Sequence, residues 1–246
     1  MGFINLIYTF IRCVASFVVP ISIMWGVRRT SVYSSPTGKS VEELLAETPE
    51  LPTLKECWSL KWVIALVVIH HIIYALIATS NCTVHLYGAD FYISTSALTN
   101  LVMVSVATAY TDARWAVISN AYTKPLILIG FINHVISSIF TSNPFSIHIV
   151  LILILIYIVG CMLSKYGIGF GQGDVNFILV VISIIGILPT IYICGISAIL
   201  SIFAEVVKWV TLKLCKKPYE KLPVRFGVYL GTVTAISILL FVVVIC

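Results

Sequence analysis

Eight apolar runs, each close to the length of a membrane-spanning helix, constrain this chain more than any other feature. A helix needs about 20 apolar residues to cross the roughly 30 Å hydrocarbon core of a bilayer. With 60% apolar residues, 10% charged residues and a mean hydropathy of +1.07, the sequence predicts an all-α, polytopic membrane helix bundle of about eight transmembrane helices. Pro189 and Thr190 alone interrupt the sixth and seventh runs, so two helices and one bent element both remain open. The runs cover residues 4–27, 62–79, 91–110, 125–141, 145–164, 175–189, 190–207 and 226–246.

The basic residues orient this predicted bundle, because Lys and Arg concentrate in cytoplasmic loops. With the N-terminus outside, every one of the 15 basic residues except Arg12 falls on the inner side. The Arg12 side chain is long enough to reach the outer interface from the first helix. The net charge of +5 therefore indicates contact with anionic membrane lipid, and nucleic acid is not an expected partner.

Two segments precede the main group of predicted helices. Residues 1–27 are predicted to form a first transmembrane helix, retained because they lack the charge-first order and the cleavage site of a signal peptide. Residues 28–61 form a polar cytoplasmic loop. The seven cysteines contain no C-x-x-C pair, and the adjacent His70 and His71 face different directions on a helix. We therefore expect no metal site and no disulfide framework.

Asp112 and Asp174 are the acidic residues without a simple solvated role. The others lie in predicted loops, apart from Glu205, which lies near a helix end beside Lys208. Asp112 follows the third apolar run and Asp174 precedes the sixth, so both are predicted at the cytoplasmic ends of helices and at the same depth. Two carboxyl groups a few ångströms apart share a proton, and such a pair can activate water while protonating a leaving group. The pattern predicts aspartic-protease chemistry.

Four alternating glycines precede Asp174, at positions 167, 169, 171 and 173. Glycine permits backbone conformations closed to other residues, and it allows a substrate strand to approach closely. Asp174 stands where a helix is predicted to start, where a carboxylate gains from the exposed amides and the dipole. An ordinary helix cap would explain Asp174 by itself, but the matching position of Asp112 favours a catalytic role.

Three sequence blocks resemble a known family, the type IV prepilin leader peptidases, which are membrane aspartic peptidases with a GxGD motif. YTDARWAVISN, residues 110–120, resembles their Asp-x-Arg and Ile-Pro-Asn signature, and GFGQGDV, residues 169–175, resembles their Gly-x-Gly-Asp signature. KLPVRFGVYLG, residues 221–231, is similar to the Pro-Phe-Gly-Pro stretch that opens their last helix. The order and spacing agree as well, and the resemblance extends over about residues 60–246.

This resemblance implies a membrane aspartic peptidase domain over residues 62–246, with Asp112 and Asp174 as the catalytic pair. Arg114, Asn120, Gly171 and Gly173 would bind substrate or support the pair. The family removes a short basic leader from type IV pilin-like precursors, at the cytoplasmic face of the bacterial inner membrane. The implied partners are prepilin-like precursors serving type IV pili or protein secretion, and proteolysis of this kind needs no cofactor.

The chain departs from the family pattern at three places. Asn176 stands where many members have Lys, and Ser119 replaces the proline of the first signature. Many relatives also carry four cysteines in the first cytoplasmic loop, in a region linked to N-methylation of the new pilin N-terminus, whereas this loop contains only Cys57. Methyltransferase activity therefore stays open, and S-adenosylmethionine is a cofactor only if that activity is present.

Two further interpretations remain beside the peptidase. The chain could be a presenilin-like GxGD protease that cuts within a transmembrane helix, although the Asp-Ala-Arg block and its spacing to Asn120 argue against this. It could also be a transporter or assembly scaffold without enzymatic activity, in which Asp112 and Asp174 carry protons or bind a partner.

Overall fold

The computed structural model of the chain describes residues 2–33, 60–78, 84–86, 89–91, 95–115, 117–141, 145–166, 171–215 and 225–244. Within these ranges there are eight helices and one short antiparallel hairpin. The helices are α1 (Gly2–Tyr33), α2 (Leu60–Ala78), α3 (Thr95–Trp115), α4 (Asn120–Thr141), α5 (Phe145–Lys165), α6 (Gln172–Ile185), α7 (Ile187–Leu214) and α8 (Phe226–Val244). The hairpin pairs β1 (Val84–Leu86) with β2 (Ala89–Phe91) between α2 and α3.

The eight helices coincide with the eight apolar runs, so the predicted helical bundle is confirmed. The hairpin between α2 and α3 is an addition that the sequence pattern did not indicate. In the described part of the chain, two helical segments are long and apolar enough to cross a membrane, Lys61–Ala78 and Ile187–Leu214. The crossing of the membrane by all eight helices remains a prediction.

The first helix is longer than the sequence indicated. It continues from the predicted end at residue 27 to Tyr33, so the first residues of the predicted polar loop are helical. Pro20 lies inside α1, which is unusual because proline removes a backbone hydrogen bond from a helix. Most of the predicted loop, including Cys57, lies outside the described residues.

The sixth and seventh runs are two helices, and they meet at Gly186 instead of at Pro189 and Thr190. Gly186 has φ +86° and ψ 177°, a backbone conformation that residues with a Cβ rarely adopt. Its amide closes α6 by bonding to the Ile182 carbonyl. Pro189 falls in the first turn of α7, where a missing N–H costs nothing. The predicted boundary was therefore displaced, because proline starts the second helix and glycine ends the first.

Helices α3 and α6 form the centre of the bundle. Residues 96–105 of α3 are all buried, and so are residues 179–185 of α6. α3 packs against α1, α2, α4, α6 and α8, while α6 packs against α4, α5 and α7 as well as α3. Their central position explains how α3 accommodates several hydroxyl side chains, since these face protein and bond to the helix carbonyls, as Ser105 does to Leu101. The two central helices are also the ones that carry Asp112 and Asp174.

Small residues let the outer helices approach these two closely. A Cβ on Gly231 of α8 would meet the backbone of α3 at the Ser105 carbonyl and at 2.9 Å from the Ala109 nitrogen. A Cβ on Gly130 of α4 would stand 2.7 Å from Ser183 Cβ in α6. Helices in lipid associate through such close packing, because the solvent around them is as apolar as their side chains. These contacts fix α8 on α3 and α4 on α6, and so determine what surrounds each aspartate.

Candidate active site

Asp112 lies in the last turn of α3, beyond the predicted span 91–110, and is only 7% exposed. Its Oδ2 accepts a hydrogen bond of 2.9 Å from the backbone N–H of Val228, and the N–H of Gly227 also donates to it. Both donors belong to the first turn of α8, where backbone N–H groups have no partner within the helix. Asp112 therefore caps the N-terminus of another helix, where the dipole also favours a negative charge.

Arg225 adds a cation to the surroundings of Asp112. It directly precedes α8, and its guanidinium Nη1 donates to the carbonyl oxygen of Ala113. That carbonyl is in the last turn of α3, where helix carbonyls lack intrahelical donors. The bond joins the end of α3 to the start of α8 and keeps the positive charge beside the Asp112 carboxyl.

Asp174 is the third residue of α6 and bonds to the residue that caps its own helix. Its Oδ2 accepts the N–H of Gly171 at 3.1 Å, and Gly171 has an extended backbone with φ −66° and ψ 157°. Asp174 thus occupies the acidic position of a capping box, with the helix starting two residues earlier than its expected start. The carboxylate ties down the end of the glycine-rich segment; Gly167 and Gly169 lie outside the described residues.

Ile118 is the side chain around which the two helix N-termini are packed. It lies in the segment 117–119 between α3 and α4 and is 9% exposed. A Cβ on Gly173 would stand 2.8 Å from Ile118 Cβ, and one on Gly227 would stand 2.7 Å from Ile118 Cδ1 and 3.1 Å from Asp112 Cγ. Only glycine fits at either position without displacement of Ile118. The first turns of α6 and α8 therefore share one packing partner, which brings Asp174 towards Asp112.

Tyr122 holds the segment that carries Ile118. Its hydroxyl bonds to Thr111 Oγ1 at 2.8 Å and accepts the N–H of Ser119 at 3.3 Å, and the side chain is 1% exposed. Gly26 of α1 closes the other side, since a Cβ there would stand 2.7 Å from Tyr122 Cδ1. The connection from α3 to α4 is thus fixed from three helices.

The two carboxyl groups interact electrostatically. Burial raises the pKa of Asp112, and this increase is opposed by the Val228 N–H, the Arg225 charge and the Gly227 N–H. Burial raises the pKa of Asp174 to about 6, opposed by the Gly171 N–H and increased further by the charge of Asp112. The pKa of each carboxyl is therefore raised above the ordinary value of aspartate, mainly by burial, and the charge of Asp112 adds to the shift of Asp174. A pair in which one carboxyl is ionised and the other still holds its proton can supply both a base and an acid.

The predicted supporting residues divide into two groups. Gly171 and Gly173 lie at the site. Gly171 donates a hydrogen bond to Asp174, and Gly173 has no side chain that would collide with Ile118. Arg114 is exposed, and its guanidinium donates to the Tyr110 hydroxyl at 3.4 Å, whereas the cation next to Asp112 is Arg225. A supporting role for Arg114 stays a prediction.

Asn120 bonds to the residue that departs from the family pattern. The Asn176 Nδ2 donates to Asn120 Oδ1 at 2.7 Å, joining the start of α6 to the start of α4. Asn176 is 2% exposed, so this buried amide has found a partner where many relatives are expected to carry a lysine. The departure at position 176 is therefore structurally accommodated, and Asn120 takes part in it.

Sequence reasoning missed Arg225, Ile118 and the amides of Gly227 and Val228. Arg225 had been assigned only to membrane orientation, although it belongs to the third block of resemblance, residues 221–231. Within the described residues no group of three His, Cys, Asp or Glu side chains is arranged to hold a metal ion. His70 bonds to Asn100 at 2.9 Å and His71 to the Val67 carbonyl at 2.8 Å. The absence of a metal cofactor remains an expectation.

Comparison with known proteins agrees with the geometry of the site. Residues 99–206 match the model of the type IV leader peptidase family, a range that contains Asp112, Ile118, Asn120 and Asp174. Among curated proteins and among solved structures no match was found. The matched range also contains α6, all but the first turn of α3, and all but the last turns of α7. The match supports the resemblance seen in the two aspartate motifs, and over residues 99–206 the chain is similar to the type IV leader peptidase family.

Proposed function

We propose that this membrane protein is an aspartic endopeptidase that removes the leader from type IV pilin-like precursors. The observation that carries the proposal is the pair of Asp112 and Asp174, two carboxyls with raised pKa that each bond to a helix N-terminus and that both lie in the range that matches a peptidase family. The carboxylate of such a pair takes a proton from the attacking water, and the carboxylic acid gives one to the leaving amine. No further group is needed for that step.

The position of the pair in the bundle supports the substrate assignment. Asp112 lies in the last turn of α3 and Asp174 in the first turn of α6, and the positive-inside pattern favours a cytoplasmic position for both helix ends. A pilin-like precursor has a basic leader followed by an apolar stem that lies in the bilayer. The bond between leader and stem would then reach the interface at the depth of the carboxyl groups. Depth in the membrane would thus select the bond that is cut.

The experiment is co-expression of the chain with candidate pilin-like precursors, with loss of the leader read by mass spectrometry. Asp112→Asn and Asp174→Asn should each abolish cleavage nearly as fully as the double variant, because neither residue alone can be both base and acid. Glu205→Gln is the matched control, since Glu205 pairs with Lys208 at 3.7 Å on α7. All variants must be present in the membrane at the wild-type level. A single Asp→Asn variant that still removes the leader at an appreciable rate would rule the proposal out.

A further inference from the structure

The two carboxyl groups are held by unequal surroundings. Asp112 receives two backbone N–H groups, from Val228 and Gly227, and the positive charge of Arg225. Asp174 receives one N–H, from Gly171, and faces the like charge of Asp112. Hydrogen-bond donors and a cation stabilise the ionised form of a carboxyl group, whereas a neighbouring negative charge disfavours it. The asymmetry favours ionisation of Asp112 first.

We propose that Asp112 is the ionised member of the pair, that Asp174 carries the shared proton, and that Arg225 is the positioning residue that fixes this order. The inference rests on the proposed peptidase function for its catalytic meaning. The two aspartate motifs do not indicate which carboxyl holds the proton, because both aspartates lie at a helix end at the same predicted depth.

Arg225 is suited to this role by the way it is anchored. One N–H group of its guanidinium is used by the Ala113 carbonyl, the residue directly after Asp112. The charge of a guanidinium is spread over its planar fork, so it acts on Asp112 while one arm bonds to the backbone. Its own backbone position is fixed by the start of α8, whose Val228 N–H bonds to the same aspartate. The Arg225 guanidinium and the N–H groups of Gly227 and Val228 are therefore all positioned near Asp112 by the start of α8.

The other titratable groups around Asp112 do not reverse this order. Asp174 faces it from α6, and Tyr122 faces it from α4 with its hydroxyl already bonded to Thr111. On α3 itself the Arg114 guanidinium is at the Tyr110 hydroxyl. Burial raises the pKa of Asp174 to about 6 with a single N–H opposing it, which agrees with the proton residing there.

The assignment gives each aspartate one task in peptide hydrolysis. The water oxygen bonds to the scissile carbonyl carbon, and Asp112 takes the proton that the water loses. As the C–N bond breaks, Asp174 gives its proton to the amine nitrogen and becomes ionised. Transfer of the proton from Asp112 to Asp174 restores the pair, so that one water is consumed and no other reactant is needed.

The order of ionisation is measurable without a substrate, by infrared titration of the protonated carboxyl band in the purified protein. The carboxyl band that titrates near pH 6 should disappear in Asp174→Asn. In Asp112→Asn the band should remain but titrate at a lower pH, because the neighbouring negative charge has been removed. Arg225→Gln should raise the pH at which Asp112 ionises by about one unit. Arg225→Lys, which retains the charge, should restore most of that shift. Lys165→Gln, which removes a cation from the end of α5 on the same predicted side, is the control and should shift neither carboxyl.

Loss of the band near pH 6 in Asp112→Asn but not in Asp174→Asn would overturn the order. An unchanged titration in Arg225→Gln would overturn the role of Arg225. The pH profile of leader cleavage supplies the second readout, since Arg225→Gln should move its acidic limb upward and leave the alkaline limb in place. A chain that cleaves no precursor, yet shows the expected infrared titration, would refute the proposed function alone.

Discussion

Asp174 carries a stability cost in the folded protein at neutral pH. A buried carboxylate with few hydrogen bonds destabilises the folded state, and Asp174 has one N–H donor and a like charge beside it. Its folded pKa of about 6 lies above the ordinary value of 3.8. The stability contributed by the neutral form is therefore fully present below about pH 4, and it is lost as pH rises through about 6.

Asp174→Asn should consequently increase thermal stability at pH 7.5, by on the order of 1–3 kcal/mol from a shift of about two pKa units. The advantage should shrink as pH falls toward 4, because wild-type Asp174 is then neutral as well. Thermal unfolding of both proteins in detergent at pH 4.5, 6 and 7.5 measures this. A variant that is less stable than wild type by the same amount at every pH would show that ionised Asp174 carries no burial cost.

The packing of Ile118 between two glycines makes a second residue-scale prediction. In Gly227→Ala the new Cβ would stand 2.7 Å from Ile118 Cδ1 and 3.1 Å from Asp112 Oδ2, so it displaces the carboxyl from the Val228 N–H. We expect cleavage to fall by about 10²-fold, the usual consequence of a displacement near 1 Å in a catalytic site. Ile118→Val in the same chain makes room and should recover part of the rate.

Gly195→Ala is the matched control for that change. It is the same substitution in α7, where a Cβ would meet nothing within 4 Å. Cleavage by this variant should equal that of wild type. Equal activity of Gly227→Ala and Gly195→Ala would show that the contact of Gly227 with Ile118 and Asp112 does not position the pair.

At the scale of elements, the joint between α6 and α7 depends on one residue. Gly186 is the described glycine with positive φ, and α7 starts at the next residue with Pro189 in its first turn. The joint lets α6 stay buried in the centre of the bundle while α7 presents apolar side chains outward, among them Ile199, Ile202 and Phe203.

Gly186→Ala should therefore destabilise the protein by about 1–2 kcal/mol, because an L-residue is strained at this φ even though no atom lies within 4 Å of the new Cβ. Gly195→Ala should be neutral or stabilising by comparison, since alanine is the better helix former at an exposed position inside α7. Melting temperatures of the two variants in the same detergent test this. A lower melting temperature for Gly195→Ala than for Gly186→Ala would contradict the role given to the joint.

At the scale of the whole molecule, the charge pattern predicts one orientation in the membrane. All basic residues except Arg12 fall on the predicted inner side, and both aspartates are on that side as well. The orientation decides whether the pair meets a leader held in the cytoplasm. This predicted orientation depends on the charges of the loops and is independent of the packing inside the bundle.

Labelling of introduced cysteines from outside the cell should therefore reach positions 81–90 and 141–144, and should fail at 35–45 and 213–220. Two of these ranges are predicted outside and two inside, so each pair serves as the control for the other. Labelling of 35–45 from outside would reverse the orientation and place the aspartate pair on the outer face.

The helical bundle, the approximate positions of the helices in the described residues, and the candidate site residues Asp112 and Asp174 could all be predicted from the sequence. Apolar run length, turn residues and the Asp motifs are local signals, and local signals are visible without a structure. The sequence placed the possible break between α6 and α7 at Pro189 and Thr190 instead of at Gly186, because proline interrupts a helix but also fits its first turn, and only the folded backbone distinguishes the two cases.

The surroundings of the two aspartates depend on how the helices pack, and they could not be predicted from the sequence. Asp112 bonds to an amide 116 residues away, Asn176 bonds to Asn120 across 56 residues, and Arg225 bonds to Ala113 across 112. Ile118 packs on glycines from two other helices. Such contacts depend on how α3, α4, α6 and α8 are packed, and no periodicity along the chain encodes which helix ends will meet. Arg225 appears in the sequence as one basic loop residue among several, and it becomes a partner of Asp112 only when α8 lies against α3.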